Sequence, residues 1–227
     1  MKNLLLSFLL FAFCIAAQAQ DYTQNLQLIS GIQVSKDLPK GFDISAQYQL
    51  RVSNYFAEVS GSYLFATVQY NIIKKVLAAE FEYRYVTSKY EDKHRFGFGL
   101  IAKHKYKKFT FSDRLVFQRE HEYFNTSYEN GHEPSNVLRN RFQIKWDFKK
   151  RWDTYISCEP FFKISNEEKE ICRVRSVAGM NWEFKKNHTL NVFYQYQTDL
   201  NKNEPEMMHT IGCIYEWDIP KFKKKEK

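Results

Sequence analysis

Charged side chains recur at every second position in several segments of this chain. Arg139 and Arg141 are two positions apart, and so are Arg173 and Arg175. Because alternate side chains of a β-strand point to the same face, each pair would share one face of a strand. Arginines and glutamates gathered on an inner face can form forked ion pairs, or they can line a water-filled path that favours anions. The charged positions of this phase are Arg51, Glu80, Glu82, Arg84, Arg114, Arg139, Arg141, Lys145, Glu159, Arg173, Arg175 and Glu216.

The elements that would hold these residues are strands. Along residues 42–52, Phe42 and Ile44 begin an apolar face, and Asp43 and Ser45 begin a polar face. A period of two predicts a strand, and about 11 residues is the length that a tilted strand needs to cross a bilayer. The same pattern predicts strands at 26–34, 42–52, 62–72, 76–87, 94–104, 109–119, 137–147, 152–164, 171–183, 188–198 and 207–217.

The connections between these strands fall into two alternating classes. The short ones carry Lys-Lys pairs, and the longer ones lie near 53–61, 88–93, 120–136, 165–170 and 199–206. Short turns at one end and longer loops at the other are typical of outer-membrane β-barrels, whose short turns face the periplasm. The four pairs are Lys74-Lys75, Lys107-Lys108, Lys149-Lys150 and Lys185-Lys186.

Tryptophan marks the same end of the predicted strands. Trp146, Trp152, Trp182 and Trp217 lie beside short turns or at the end of the last strand. Indole prefers the boundary between lipid and water, because its ring is apolar and its N–H needs a polar partner. The pattern therefore predicts an aromatic belt at one membrane interface. Tryptophans at the strand ends of a soluble barrel are the alternative.

The predicted number of strands conflicts with the even number that is usual in bacterial barrels. Eleven strands are predicted, whereas bacterial single-chain barrels normally close with an even number. We therefore expect ten strands, if 26–34 is not part of the wall, or twelve, if a further short strand lies near 53–61. Asp113 and Asn140 also fall on the apolar phase, which a β-bulge would explain.

The N-terminal residues predict export. Lys2, an apolar stretch from Leu4 to Ala17 and a small-residue cleavage site predict a signal peptide at 1–19. We expect one barrel domain at 20–219 and a basic tail at 220–227.

The net charge is +8, but the lysines collect in turns and in the tail, which favours contact with acidic lipid headgroups over nucleic acid.

Four short motifs resemble a known family. They are Leu138-Arg139-Asn140-Arg141-Phe142, Glu159-Pro160-Phe161, Arg173-Val174-Arg175 followed by Gly179, and Phe193-Tyr194-Gln195-Tyr196. This series is similar to the bacterial domain-of-unknown-function family 2490. The resemblance implies an outer-membrane-type barrel of a Gram-negative cell, and it implies no activity and no catalytic residues.

The sequence thus predicts an all-β, up-and-down antiparallel transmembrane barrel in the outer membrane, expected to be a monomer surrounded by lipid. Its role is structural, or it is a narrow pore for small anionic solutes. A soluble, exported, lipocalin-like barrel that binds a ligand is an alternative, with the opposite polarity. A membrane-embedded lipid hydrolase is a further alternative, but the sequence lacks G-x-S-x-G and H-E-x-x-H motifs. We predict no enzymatic activity, no cofactor and no metal site.

Overall fold

The structure is a computed structural model. It describes residues 23–88, 92–122, 135–164, 169–201 and 205–220. The expected signal peptide at 1–19, the middle of the loop expected at 120–136 and the basic tail beyond Pro220 lie outside these residues.

The described chain forms a closed barrel of eleven strands in which neighbours in sequence pair in an antiparallel manner. The all-β, up-and-down architecture is therefore confirmed. The described residues contain no helix long and apolar enough to cross a membrane. The strands are β1 (Thr23–Asp37), β2 (Phe42–Ser53), β3 (Glu58–Ile73), β4 (Leu77–Thr87), β5 (Asp92–Tyr106), β6 (Phe109–Glu122), β7 (Ser135–Lys149), β8 (Trp152–Ile164), β9 (Lys169–Lys185), β10 (His188–Asp199) and β11 (Glu206–Ile219).

The barrel closes through a parallel pair, and this corrects the expected strand count of ten or twelve. β1 pairs with β11 in parallel over its length and with β2 in antiparallel fashion. Residues 26–34 thus lie in the wall, and residues 54–57 form a turn between β2 and β3. The even-number rule holds when every pair is antiparallel. An odd count brings the first and last strands together in the same direction, so one parallel ladder completes the wall.

The two ends of the barrel differ in their connections. Residues 74–76, 107–108, 150–151 and 186–187 form tight turns at one end, which we call the short-turn end. Lys75, Lys107, Arg151 and Asn187 adopt positive φ there. The connections at the opposite end, the loop end, include 54–57 and 200–205.

A backbone hydrogen bond recurs beside three of the tryptophans at the short-turn end. The backbone N–H groups of Asp147, Glu183 and Asp218 donate to turn carbonyls at 2.8, 2.9 and 2.9 Å. Each of these residues follows a tryptophan, and each acceptor belongs to the preceding hairpin turn or its edge: Lys108, Arg151 and Asn187 respectively. β7, β9 and β11 are thus each tied to the neighbouring turn at the residue that follows a tryptophan.

The wall is apolar outside and polar inside. Ile32, Phe98 and Ile156 project outward with 55 %, 61 % and 58 % of their surface exposed. The opposite phase buries glutamines, glutamates and arginines within the lumen. The two phases alternate as the sequence predicted, and the apolar phase forms the outer wall.

Asp113 departs from this polarity without a bulge. The ladders that join β6 to β5 and β7 continue past Asp113 in unbroken register, opposite Ala102 and Phe142. Its carboxylate therefore lies exposed on the outer wall. The prediction of a β-bulge at Asp113 is therefore wrong.

Candidate functional site

The lumen holds a network of guanidinium and carboxylate groups. Arg114 on β6 contacts two glutamates of β4: its Nε lies 2.9 Å from Glu80 Oε1, and its Nη2 lies 3.0 Å from Glu82 Oε2. Glu82 also accepts from Arg84 at 3.0 Å. Alternation along β4 places all three of its charged residues on the inner face, so one arginine from another strand can contact two of them.

A second group surrounds Phe161 on β8. Arg139 donates through Nε and Nη2 to Glu159 at 3.1 and 2.8 Å, and through Nη1 to Gln118 at 3.0 Å. The guanidinium carbons of Arg139 and Arg175 each lie 5.0 Å from the centre of the Phe161 ring. An unpaired charge at this depth is costly, and the forked contact avoids that cost for Arg139 and Glu159.

Two arginines of β9 extend the network toward the loop end. Arg175 donates to Gln197 at 2.9 and 3.2 Å and lies 3.5 Å from Glu159. Arg173 donates through Nε to Asp199 at 2.6 Å. Asp199 is the last residue of β10 and is 4 % exposed, so the lumen network continues to the end of that strand.

Three predicted members of the network have no oppositely charged partner among the described residues. Arg51 stacks on the Tyr63 ring at 3.7 Å and donates to Gln49 at 3.0 Å. Arg141 lies opposite Arg114, a like charge. Glu216 lies opposite Gln33 and Thr189, so the register gives it no arginine. The expectation that Glu216 would meet a guanidinium is therefore wrong.

The lumen is filled at mid-height. A channel as wide as a water molecule would leave lumen-facing side chains accessible on all sides. Instead, ten of the eleven strands contribute a buried inward residue, and on β9 the Arg175 side chain keeps only 22 % exposure. The buried residues are Ile29, Gln49, Phe65, Glu80, Ile101, Arg114, Arg139, Glu159, Gln197 and Thr210.

Above this layer, a cavity of about 670 Å³ lies at the loop end. We call it the cup. Three cations and two carboxylates face it, together with serines, two valines and one tyrosine. Its lining residues are Ser53, Glu58, Val59, Ser60, Tyr63, Val86, Ser88, Lys93, Arg95, Glu120 and Arg173.

The chain was compared with known protein families. A family described as "Protein of unknown function (DUF2490)" matches residues 27–208. The chain belongs to this family. The DUF2490 match begins in β1 and ends in β11, so it covers β2 to β10 in full and every lumen arginine described above. No curated protein matches the chain.

The outer wall carries aromatic side chains at both ends. At the short-turn end, Trp152 stacks on Trp182 at 5.3 Å, and Trp146 stacks on Phe109 at 6.1 Å. Trp217 lies 6.3 Å from the ring of His188. All four predicted tryptophans thus lie at this end, beside the tight turns.

A second aromatic group lies at the loop end, and the sequence analysis missed it. Tyr83 and Tyr85 of β4 contact His94 of β5, with the Tyr83 hydroxyl 2.8 Å from His94 Nδ1. Tyr194 of β10 pairs with His209 of β11 in the same way at 2.6 Å. The signal was present, since these tyrosines and histidines occupy the apolar phase of their strands, but the prediction considered tryptophan alone.

Two ion pairs in the network were also missed. Arg95 pairs with Glu120, with Nε 2.6 Å from the carboxylate, and Arg173 pairs with Asp199. Both acids were assigned to loops because the predicted strands ended one residue too early. Arg95 alternates with Phe96 and Phe98, so its inward phase was readable from the sequence.

Three of the described histidines contact tyrosine and not serine. His94, His188 and His209 each place Nδ1 within hydrogen-bond reach of a tyrosine hydroxyl on the outer wall. A nucleophilic triad needs a serine at that position. The part of the chain that the structure describes also contains no group of three His, Cys, Asp or Glu residues able to hold a metal ion.

Proposed function

We propose that this chain is an outer-membrane β-barrel that crosses the lipid as a closed, braced wall, with a structural role and without a permanent pore. The outward apolar face carries the proposal. Large hydrophobic side chains such as Ile32, Leu64, Phe98, Phe117 and Ile156 are exposed around the wall. In water such a surface would drive aggregation, whereas lipid makes it favourable.

The height of the apolar wall matches a bilayer. On β5, Phe96 belongs to the aromatic group of the loop end and Tyr106 is the last residue before the short turn. Ten residues of strand rise about 33 Å, or about 25 Å along the axis of a barrel whose strands tilt by about 40°. Outer-membrane barrels present an apolar band of about this height between two aromatic belts.

The ends of the barrel suggest an orientation. Short turns face the periplasm in this class of protein, so the Lys-Lys turns and the four tryptophans would mark the periplasmic rim. The cup would then open to the cell exterior. Outer-membrane lipids are the proposed surroundings, and a monomer is the proposed state.

The filled lumen favours a structural role over conduction. Arg114, Arg139 and Glu159 have side chains that are 7 %, 5 % and 3 % exposed, too little for contact with a column of water. A narrow anion path is the second candidate, favoured by Arg51 and Arg141, which have no carboxylate partner among the described residues. It would require the network to open.

The soluble alternative requires the opposite polarity. A lipocalin-like barrel directs its apolar phase into the ligand cavity and its charges into water. Here Arg114 and Arg139 are buried inside, and Phe98 and Phe117 are exposed outside. These placements support the membrane-spanning alternative.

Cell fractionation tests the proposed location. The full chain is expressed in a Gram-negative host, and the membranes are separated and washed with urea. We expect the protein in the outer-membrane fraction after the wash, and we expect it to migrate faster on electrophoresis before boiling than after it. Recovery in the soluble periplasm without detergent would contradict the proposal.

A further inference from the structure

Every tight turn at the short-turn end carries exposed positive charge. Lys40 lies in the connection from β1 to β2, and each of the other four turns contains at least one lysine of a Lys-Lys pair. The eight lysines of these pairs, Lys40 and Arg151 are all exposed. We call these ten residues the basic rim. Because the barrel is closed, its turns lie in a circle, and the basic rim surrounds the mouth of the barrel.

The cations of the basic rim are separated from the carboxylates of the same end. None of them forms an ion pair with a described residue. Two lysines of the inner phase do form such pairs: Lys105 lies 2.9 Å from Asp147, and Lys145 lies 3.4 Å from Asp153. The aspartates of these pairs belong to the inner faces of β7 and β8. The barrel therefore presents a ring of positive charge to its surroundings at this end.

The basic rim begins at the height of the aromatic side chains on the outer wall. Lys149 pairs with Trp152 in the ladder between β7 and β8, so the two residues lie side by side. The ammonium of Lys107 lies 5.3 Å from the centre of the Tyr106 ring. Tryptophan and tyrosine rings of membrane proteins lie at the level of the lipid headgroups. In a bilayer, the rim lysines would therefore lie close to lipid phosphates.

We propose that the basic rim binds anionic phospholipid and selects it over zwitterionic lipid in the leaflet at the short-turn end. The proposal rests on the membrane location proposed above. Lysine suits this ligand, because its flexible apolar stem can lie along the wall while its ammonium reaches the headgroup. Clustered lysines beside a bilayer attract anionic lipids over a short range. A soluble polyanion or an acidic protein would be met by cations beyond the headgroups, whereas Lys149 is level with Trp152.

Quenching of tryptophan emission by brominated lipids tests the proposal. The chain has four tryptophans, and all lie beside the basic rim, so their emission reports the lipids at this end alone. The folded full chain is reconstituted into vesicles of phosphatidylcholine and phosphatidylglycerol in equal amounts, with bromine on the acyl chains of one lipid or the other. We expect stronger quenching by brominated phosphatidylglycerol, corresponding to an enrichment of about fivefold. Sodium chloride should reduce the enrichment, because salt screens exposed charges.

Paired substitutions test the residues of the basic rim. The double variant Lys149→Gln, Lys150→Gln should lower the enrichment of phosphatidylglycerol by about half, because it removes two cations beside Trp152. The double variant Lys149→Arg, Lys150→Arg keeps the charge and should keep the enrichment. The matched control is Arg119→Gln, Lys163→Gln, which removes two exposed cations near the loop ends of β6 and β8 and should leave the enrichment unchanged.

Two results would overturn the proposal. One is equal quenching of the unaltered protein by the two brominated lipids, which is expected if the basic rim instead binds an acidic polymer or an acidic protein. The other is a loss of enrichment in the loop-end control as large as that in Lys149→Gln, Lys150→Gln. Failure of the membrane location gives a different result: neither brominated lipid would quench the emission, and boiling would not change the migration of the protein on electrophoresis.

Discussion

Arg139 and Arg141 allow a test of the inner network with two nearly identical substitutions. Both are arginines on the inward phase of β7, two positions apart. Arg139 has Glu159 at 2.8 Å, Gln118 at 3.0 Å and the Phe161 ring at 5.0 Å. Arg141 has no such partner and lies opposite Arg114. If ion pairs stabilise the barrel, replacing each by alanine should have very different effects.

The expected magnitude follows from the contacts. Removing one partner of a buried ion pair costs about 3–5 kcal/mol. In Arg139→Ala, Glu159 keeps Arg175 at 3.5 Å, so we expect the lower end of that range, about 3 kcal/mol. Arg141→Ala relieves repulsion from Arg114 but loses packing, and the free energy of unfolding should change by less than about 1 kcal/mol.

The assay is urea unfolding of the protein folded in phosphatidylcholine vesicles. Tryptophan emission reports the transition, because Trp146, Trp182 and Trp217 are exposed on the outer wall where lipid would contact them. The double variant Arg139→Ala, Glu159→Ala should lose less than the sum of the single losses, since the two residues share one contact. Equal losses for Arg139→Ala and Arg141→Ala would refute the reasoning.

Two further substitutions test the outer wall and the packing of the lumen. Asp113→Leu should raise the free energy of unfolding in vesicles by about 1 kcal/mol, because an exposed carboxylate on a lipid-facing wall is unfavourable; a decrease would mean that Asp113 has a partner. Gly212→Ala should lower the free energy of unfolding by about 1–3 kcal/mol, because a Cβ there would overlap the Phe193 ring. Gly97→Ala, whose Cβ would meet Val116 at 3.2 Å, is its control and should cost less.

Local patterns in the sequence predicted the parts of the fold that depend on neighbouring residues. Ten of the eleven predicted segments lie within an observed strand, and the segment 76–87 begins one residue before β4, because alternation is imposed residue by residue by the two faces of the wall. The position of the tight turns was also predictable from neighbouring residues. The Lys-Lys pairs lie in or at the edge of tight turns.

Features that depend on distant pairing could not be predicted. No residue of β1 signals that it will pair in parallel with β11 nearly two hundred positions away. The register between strands also decides which charges meet. Arg139 and Arg141 have the same pattern in the sequence, yet only Arg139 has a carboxylate partner, and Glu216 meets none because Gln33 and Thr189 lie opposite it.

The central claim is that the barrel spans the membrane with its lumen closed by the inner network, and ion conductance through a planar lipid bilayer tests it most directly. The folded protein is reconstituted at known orientation and voltage, and single insertions are recorded. We predict no steady conductance, because buried side chains fill the lumen on ten of eleven strands. A steady, anion-selective current from the unaltered protein would contradict the closed lumen and favour the anion path.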